Sequence, residues 1–225
     1  MDYANIQPGI FRSRPNRFIA HCEVDGRLEI CHVKNTGRCK ELLLPGASVY
    51  LQKSDNPNRK TKYDLISVYK GDRLINMDSQ APNPVFREWA ENGGIPGLTL
   101  LKGEVPYGNS RFDFYMEMGD KKVFVEVKGV TLEENGVVLF PDAPTLRGIK
   151  HLQELGHCLS QGYEAMAVFI IQMNNVSYFT PNRKTHPAFA EALQTAQALG
   201  VRLLALDCLV TPNRLTARQA VDIRL

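Results

Sequence analysis

The sequence predicts two domains, an all-β barrel at about residues 1–80 and an α/β domain at about residues 81–225. Short strand-like runs separated by turn residues fill positions 18–78, whereas later residues alternate strand and helix patterns. The segment Ala81-Pro82-Asn83-Pro84 interrupts both patterns and marks the boundary. With 225 residues, the chain is long enough for two small domains.

The first domain is predicted to be a barrel of the OB type, because several short strands follow one another closely. Asp25-Gly26 is a strong signal for a two-residue hairpin turn between the first two strands. The predicted strands cover residues 18–23, 27–33, 48–52, 63–69 and 74–77.

The second domain is predicted to be a mixed α/β sandwich. Its clearest helix covers 145–161, where leucine and isoleucine side chains from Leu146 to Leu159 recur at helical spacing. Gly148 lies within this helix at a cost of ~1 kcal/mol relative to Ala, which indicates that another group approaches closely. The remaining predicted elements are helices at 85–91 and 187–199 and strands at 98–105, 112–118, 123–130, 137–140, 165–172 and 201–207.

Composition indicates a globular protein of a reducing compartment, and we expect a cytoplasmic location. Hydrophobic residues make up 44% and charged residues 23%, which is ordinary for soluble proteins. We expect no membrane association, since no apolar run reaches about 18 residues and the N-terminus lacks a secretory pattern. Five cysteines without a Cys-x-x-Cys motif predict free buried thiols. The net charge of +3 is concentrated in the first 80 residues, which favours the barrel as the polyanion-binding part.

Asp113 and the triplet Glu126-Val127-Lys128 are the candidate chemical site. They lie on predicted neighbouring strands, and strand alternation puts Glu126 and Lys128 on one face. Two carboxylates suit a hard cation such as Mg²⁺, and a neighbouring ammonium can hold a water or a phosphate. The alternative is a solvated Glu–Lys pair worth under ~1 kcal/mol.

Two helices could complete this site. Glu88 on the first predicted helix is a candidate third carboxylate, although an ordinary surface glutamate explains it as well. The helix at 145–161 carries Arg147, Lys150 and His151 on the side away from its apolar stripe. These side chains either form a solvated face or hold a phosphodiester backbone near the metal.

A second group of basic residues is predicted to bind nucleic acid through the barrel. Arg12, Arg14 and Arg17 form a basic N-terminal arm, and Lys34, Arg38 and Lys40 lie in one loop. OB barrels bind single strands through such loops, often with aromatic stacking. The candidate stacking residues are Tyr50, Tyr63 and Tyr69, whose alternative role is to cap the core.

Four segments resemble the sugar fermentation stimulation protein A (SfsA) family. They are residues 32–46, Ser110-Arg-Phe-Asp-Phe114, Val125-Glu-Val-Lys-Gly129 and residues 140–152. The resemblance implies non-specific DNA binding, a role in regulating sugar and notably maltose metabolism, an OB-like N-terminal domain and a PD-(D/E)XK nuclease-like C-terminal domain.

The resemblance also implies roles for individual residues. Asp113 and Glu126 match the acidic positions of the nuclease motif and Lys128 matches its lysine, so these three would be catalytic. Asp113, Glu126 and Glu88 would bind Mg²⁺ or Mn²⁺. Phe112 stands where the motif expects proline.

The sequence therefore predicts a DNA-binding protein with a metal-dependent, nuclease-like site. An active Mg²⁺- or Mn²⁺-dependent endonuclease with an indirect metabolic role is the alternative. RNA is a further possible partner, because OB barrels bind both nucleic acids.

Overall fold

The computed structural model describes residues 1–35, 37–108 and 110–225. The first sheet has six strands in the order β3-β2-β1-β4-β5-β6, and parallel pairing of β3 with β5 closes the first five into a barrel. This is the predicted OB barrel. Its strands are β1 (Ile6–Asn16), β2 (Ile19–Val24), β3 (Arg27–Val33), β4 (Ser48–Lys53), β5 (Tyr63–Lys70) and β6 (Arg73–Asn76).

The prediction placed the wrong strand in the barrel. Ile6–Asn16 is the first barrel strand rather than a free arm, and it pairs with both β2 and β4. The predicted strand at 74–77 instead extends the sheet as β6, outside the closure. Pro8, Gly9 and Pro15 and two register shifts in β1 explain why its sequence shows no clear alternation.

The second domain is built on another six-stranded sheet in the order β15-β14-β12-β9-β8-β7. Strands β9, β12 and β14 run parallel, whereas β7, β8 and β15 are antiparallel to their neighbours. This is a mixed α/β fold, as predicted. The elements are α1 (Pro82–Trp89), β7 (Leu98–Tyr107), β8 (Ser110–Met118), β9 (Lys121–Val130), β10 (Leu132–Glu134), β11 (Val137–Phe140), α2 (Leu146–Ser160), β12 (Glu164–Ile171), β13 (Tyr178–Pro181), α3 (Pro187–Leu199), β14 (Arg202–Thr211) and β15 (Arg214–Ala220).

Alternation along β9 directs its side chains into two separate cores. Val125 and Val127 pack with α1 on one face of the sheet. Phe124 packs on the other face in a cluster that includes α2, α3 and the barrel interior. Glu126 and Lys128 therefore point to the side where the barrel and α2 meet the sheet.

Helix α1 begins earlier than predicted, because its two prolines lie in the first turn. A proline there loses no helical hydrogen bond, so Pro82 and Pro84 start the helix rather than ending a domain segment. Thr145 is the N-cap of helix α2, and its Oγ1 accepts a hydrogen bond from the N–H of Gly148 (3.0 Å).

The predicted close approach at Gly148 is present. A Cβ added there would lie 2.9 Å from Thr145 Cγ2 and 3.2 Å from the ring of Phe189 on α3. With Gly148 in contact with α3, the side of α2 that is buried differs from the predicted apolar stripe. Leu146 is consequently exposed, and His151 is buried beside Leu152.

Polar contacts join the barrel to the second domain. Gln172 Nε2 donates to Asn76 Oδ1 and to the carbonyl of Asp78, both at 2.9 Å. Glu133 of β10 pairs with Lys70 and Arg73 of the barrel hairpin.

All five cysteines are free and buried, as predicted. Within the described residues, the helices are too short or too polar to cross a membrane.

Candidate divalent-metal site and basic groove

The predicted carboxylates meet where the ladder between β8 and β9 ends. Regular pairing stops at Phe114 opposite Val125. Beyond that pair, the Asp113 carboxylate accepts a hydrogen bond from the backbone N–H of Val127 (2.8 Å). A side chain thus ties the two strands together, and it brings Asp113 beside Glu126.

Helix α1 holds Asp113 from the second side. Asn83 Nδ2 donates to Asp113 Oδ1 at 2.9 Å. The helix can approach this closely because β9 has glycine at 129, where an added Cβ would lie 2.6 Å from Pro82 Cγ. Burial, and then the negative charge of Glu126, raise the pKa of Asp113.

Glu126 is only 3% exposed and is held by two donors. Its Oε1 accepts hydrogen bonds from Lys128 Nζ and His151 Nδ1. Arg147 Nε donates to His151 Nε2 (3.3 Å), so a neutral imidazole carries its hydrogen on Nδ1, toward Glu126. Burial acts to raise the pKa of Glu126, but His151 and Lys128 outweigh it and hold this pKa below its ordinary value.

The two carboxylates fit a hard divalent cation. Glu126 Oε2 is buried without a hydrogen-bond partner among the described residues, an arrangement that costs free energy unless a cation or water compensates. Across residues 1–35, 37–108 and 110–225, no three His, Cys, Asp or Glu side chains gather as a larger ligand set. Mg²⁺ is commonly held by one or two carboxylates, with water and phosphate completing its shell.

The structure does not bring Glu88 to this site. Its carboxylate pairs with the N-terminal ammonium of Met1 and with Arg214 Nη2 (3.0 Å). Arg214 lies on β15, four strands from the β8 strand that carries Asp113. The charged groups around Glu88, first the N-terminal ammonium, hold its pKa below the ordinary value despite burial.

Five of the predicted basic residues line one groove, which we call the basic groove. It has a volume of about 790 Å³ and lies between the barrel and the Ala143-Pro144 segment that precedes α2. The side chains of three of them have no ion pair within the described part of the chain. The basic groove is lined by Arg12, Arg14, Arg17, Arg38 and Lys40, and the three without an ion pair are Arg17, Arg38 and Lys40.

The other two arginines of the groove are engaged in the barrel. Arg12 pairs with Glu23 at 2.5 Å. Arg14 donates to four backbone carbonyls of neighbouring turns, at 2.8–3.1 Å. Arg14 thus fixes the shape of the groove wall. Its partner carbonyls belong to Arg17, Asn35, Gly37 and Arg38.

Lys34 does not line the basic groove, where its predicted partners Arg38 and Lys40 lie. It lies between two buried carboxylates. Its Nζ is 3.5 Å from Asp64 Oδ2 and 3.6 Å from Asp78 Oδ2. The prediction missed this because both partners are distant in sequence. Its ammonium is occupied in a structural contact.

Helix α2 presents only two of its three predicted basic side chains to solvent. Arg147 and Lys150 are exposed, and Lys150 lies 3.6 Å from Glu154. His151 is 5% exposed and binds Glu126, so its predicted place on the solvent face is wrong. The physical reason is that the buried face of α2 includes Gly148, and His151 lies on that same face.

A small cavity adjoins the basic groove. It has a volume of about 170 Å³, and Gly37 lines both the cavity and the basic groove. It is also lined by Gly129, the residue after Lys128. Asp142 also lines it and fixes the groove side by accepting a hydrogen bond from the N–H of Arg38 (3.1 Å).

Sequence reasoning missed Asn83 and the contact of His151 with Glu126. Asn83 stood between two prolines, which indicated a linker rather than a helix start. The available signal was Gly129, since a glycine in a buried strand indicates close approach of another backbone or ligand.

Two family models match the chain. The "SfsA N-terminal OB domain" matches residues 13–77, and the "Sugar fermentation stimulation protein RE domain" matches residues 80–214. The "Sugar fermentation stimulation protein homolog" of Desulfitobacterium hafniense (strain DSM 10664 / DCB-2) is 62% identical over 225 residues, covering 100% of this chain and 99% of that protein.

Two further relatives agree. The homolog from Ruminiclostridium cellulolyticum is 59% identical over 226 residues, covering 100% of both chains. The solved structure of Pyrococcus furiosus SfsA in complex with Ca²⁺ has a TM-score of 0.90 and 30% identity, covering 100% of this chain and 98% of that chain. With family models matching both domains and relatives matching along their whole length, this chain belongs to the SfsA family.

Proposed function

We propose that this chain binds DNA without sequence preference and holds Mg²⁺ or Mn²⁺ at Asp113 and Glu126. The observation that carries the proposal is the pairing of these carboxylates, with Glu126 Oε2 buried and unpartnered in the described residues. The relative from Pyrococcus furiosus was solved with Ca²⁺, another hard cation that prefers oxygen ligands. Regulation of sugar, notably maltose, metabolism is the cellular role that we propose for this binding.

Each residue of the site has a distinct task in this proposal. Asp113 and Glu126 supply the oxygen ligands, while Asn83 and His151 hold them in place through hydrogen bonds. Lys128, bound to Glu126, would neutralise charge on a phosphate beside the site. A bound divalent cation would supply Lewis acidity and lower the pKa of a water.

DNA would approach through the basic groove. Arg17, Arg38 and Lys40 can each neutralise a backbone phosphate, because no described carboxylate pairs with them. Arg147 and Lys150 are exposed on α2 and extend the positive surface beside His151 and Glu126. Contacts of this kind recognise the backbone and carry no sequence information.

Cleavage of DNA or RNA is the second candidate function. The position of Lys128 favours it, because its ammonium lies at Glu126 as phosphodiester hydrolysis requires. Lys128 would orient the attacking water or stabilise charge on the phosphate that it attacks.

One set of incubations separates the two functions. Wild type, Asp113→Ala, Lys128→Ala and the control Glu88→Gln are mixed with duplex DNA, single-stranded DNA and RNA in Mg²⁺ or Mn²⁺. A nuclease would cut in wild type and in Glu88→Gln but in neither of the other two. Binding without cutting by wild type would leave the binding function and reject the nuclease.

A further inference from the structure

We propose that Phe18 is a stacking platform for an unpaired nucleobase at the end of the basic groove. The preferred ligand is then a single-stranded nucleic acid, whose bases are accessible, rather than a duplex. This inference rests on the proposed nucleic-acid binding and specifies the form of nucleic acid that the groove takes.

Phe18 differs from the other aromatic side chains in its exposure. It is 50% exposed, whereas every other Phe, Tyr and Trp of the described residues is buried or half-buried. The three tyrosines suggested by the sequence are less available. Tyr63 is buried, and the rings of Tyr50 and Tyr69 contact each other with their centroids 6.2 Å apart and their planes tilted by 55°.

The backbone on both sides of the Phe18 ring is fixed. Its N–H donates to Asn16 Oδ1 at 2.9 Å, and its carbonyl accepts from the N–H of Val33 at 2.8 Å. The preceding carbonyl, that of Arg17, accepts a hydrogen bond from Arg14 Nη2 at 2.8 Å. An exposed ring on a rigid turn loses little conformational entropy when a ligand stacks on it.

Phe18 is adjacent in the chain to residues of the basic groove, which supplies the charges that a single strand needs. Phe18 directly follows Asn16 and Arg17, both of which line the basic groove. Arg38 and Lys40 line the same groove. A cationic groove beside an aromatic platform is how sequence-tolerant proteins bind single strands. The turn between β1 and β2, where Phe18 lies, is a ligand-binding loop in OB folds.

The experiment measures binding of fluorescein-labelled oligo(dT), oligo(U) and a mixed-sequence duplex of equal length by anisotropy. The proteins are wild type, Phe18→Ala, Phe18→Trp and the control Leu28→Ala. Leu28 is 67% exposed on β3 but lies at the far, hairpin end of that strand, outside the basic groove.

We expect Phe18→Ala to raise the Kd for the single strands roughly 5- to 100-fold, as loss of one base–aromatic stack does. The Kd for the duplex should change less than about twofold, because no phosphate contact is lost. For the same reason, the slope of log K against log salt should stay nearly the same. Phe18→Trp should keep the affinity and show emission quenched by oligo(dT) beyond any change from Trp89. Leu28→Ala should behave as wild type.

Three results would overturn the inference in distinguishable ways. If wild type binds oligo(dT) and Phe18→Ala binds it equally well, stacking is rejected while the proposed function stands. Equal loss on duplex and single strand would also reject it, since it indicates a general effect on the barrel. If wild type binds no nucleic acid at all, the proposed function fails together with the inference.

Discussion

Replacing Glu133 with Gln tests the contact that fastens the barrel to the α/β domain. Glu133 lies on β10 and is 5% exposed. Its carboxylate is 2.8 Å from Lys70 Nζ and 2.9 Å from Arg73 Nη1, which lie on the hairpin of β5 and β6. The N–H of Gly136 donates to the same carboxylate. Gln keeps the shape of the side chain but removes the charge that both cations face.

The pKa of Glu133 sets the size of the effect. Burial alone would raise it, but the hydrogen bond from Lys70, the N–H of Gly136 and Arg73 together lower it from 4.5 to about 2. A tenfold change in proton affinity is worth about 1.4 kcal/mol, so the ionised contact contributes about 3 kcal/mol at pH 7. Because the folded pKa is depressed, this contribution is present above pH 4.5 and is lost as the pH falls toward about 2. At pH 3, less than half of it should remain.

Urea unfolding at pH 7 and pH 3, followed by the fluorescence of Trp89 and by circular dichroism, measures these values. Glu133→Gln should lower the free energy of unfolding by about 3 kcal/mol at pH 7 and by less than half of that at pH 3. The control is Glu134→Gln, an exposed neighbour without an ion pair in the described residues, which should change little. An equal loss at both pH values, or a loss under ~1 kcal/mol at pH 7, would refute the argument.

Three further predictions concern the site and the groove. His151→Ala should weaken Mn²⁺ binding about 10- to 100-fold by calorimetry, because Glu126 loses its orienting donor. His151→Gln can still donate a hydrogen bond and should weaken Mn²⁺ binding less. Equal Mn²⁺ affinities of the two variants would reject the orienting role of His151. Arg17→Gln should reduce the slope of log K against log salt by about 0.7–0.9, whereas an unchanged slope would remove Arg17 from the phosphate contacts. Lys34→Met should lower unfolding free energy by about 3 kcal/mol, since it leaves Asp78 buried without its cation. The salt slope should not change, and a changed slope with unaltered stability would restore Lys34 as a phosphate contact.

The proximity of Asp113 to Glu126 and Lys128 could be predicted, because it depends only on neighbouring strands of one hairpin. Alternation along β9 puts Glu126 and Lys128 on one face, and a hairpin turn is enough to bring Asp113 beside them. The barrel class was also predictable, since hairpin and turn residues separate its short strands. Which strands close the barrel could not be predicted, because β1 carries prolines and bends through two register shifts.

Contacts between distant segments could not be predicted from the sequence. The burial of His151 depends on Phe189 packing against Gly148, which turns α2 about its axis. Lys34 finds Asp64 and Asp78 only once the barrel has closed. In both cases the local pattern fits a solvated basic face, and packing decided otherwise.

The most direct test of the metal site is a calorimetric titration of the apoprotein with Mn²⁺ and with Ca²⁺. Wild type should bind one ion, and Asp113→Asn and Glu126→Gln should each weaken that binding at least about tenfold by removing a carboxylate ligand. Glu88→Gln should bind as wild type, because Glu88 is held by Arg214 and the N-terminus. Absence of binding by wild type, or unchanged binding by Asp113→Asn and Glu126→Gln, would contradict a metal site at these carboxylates.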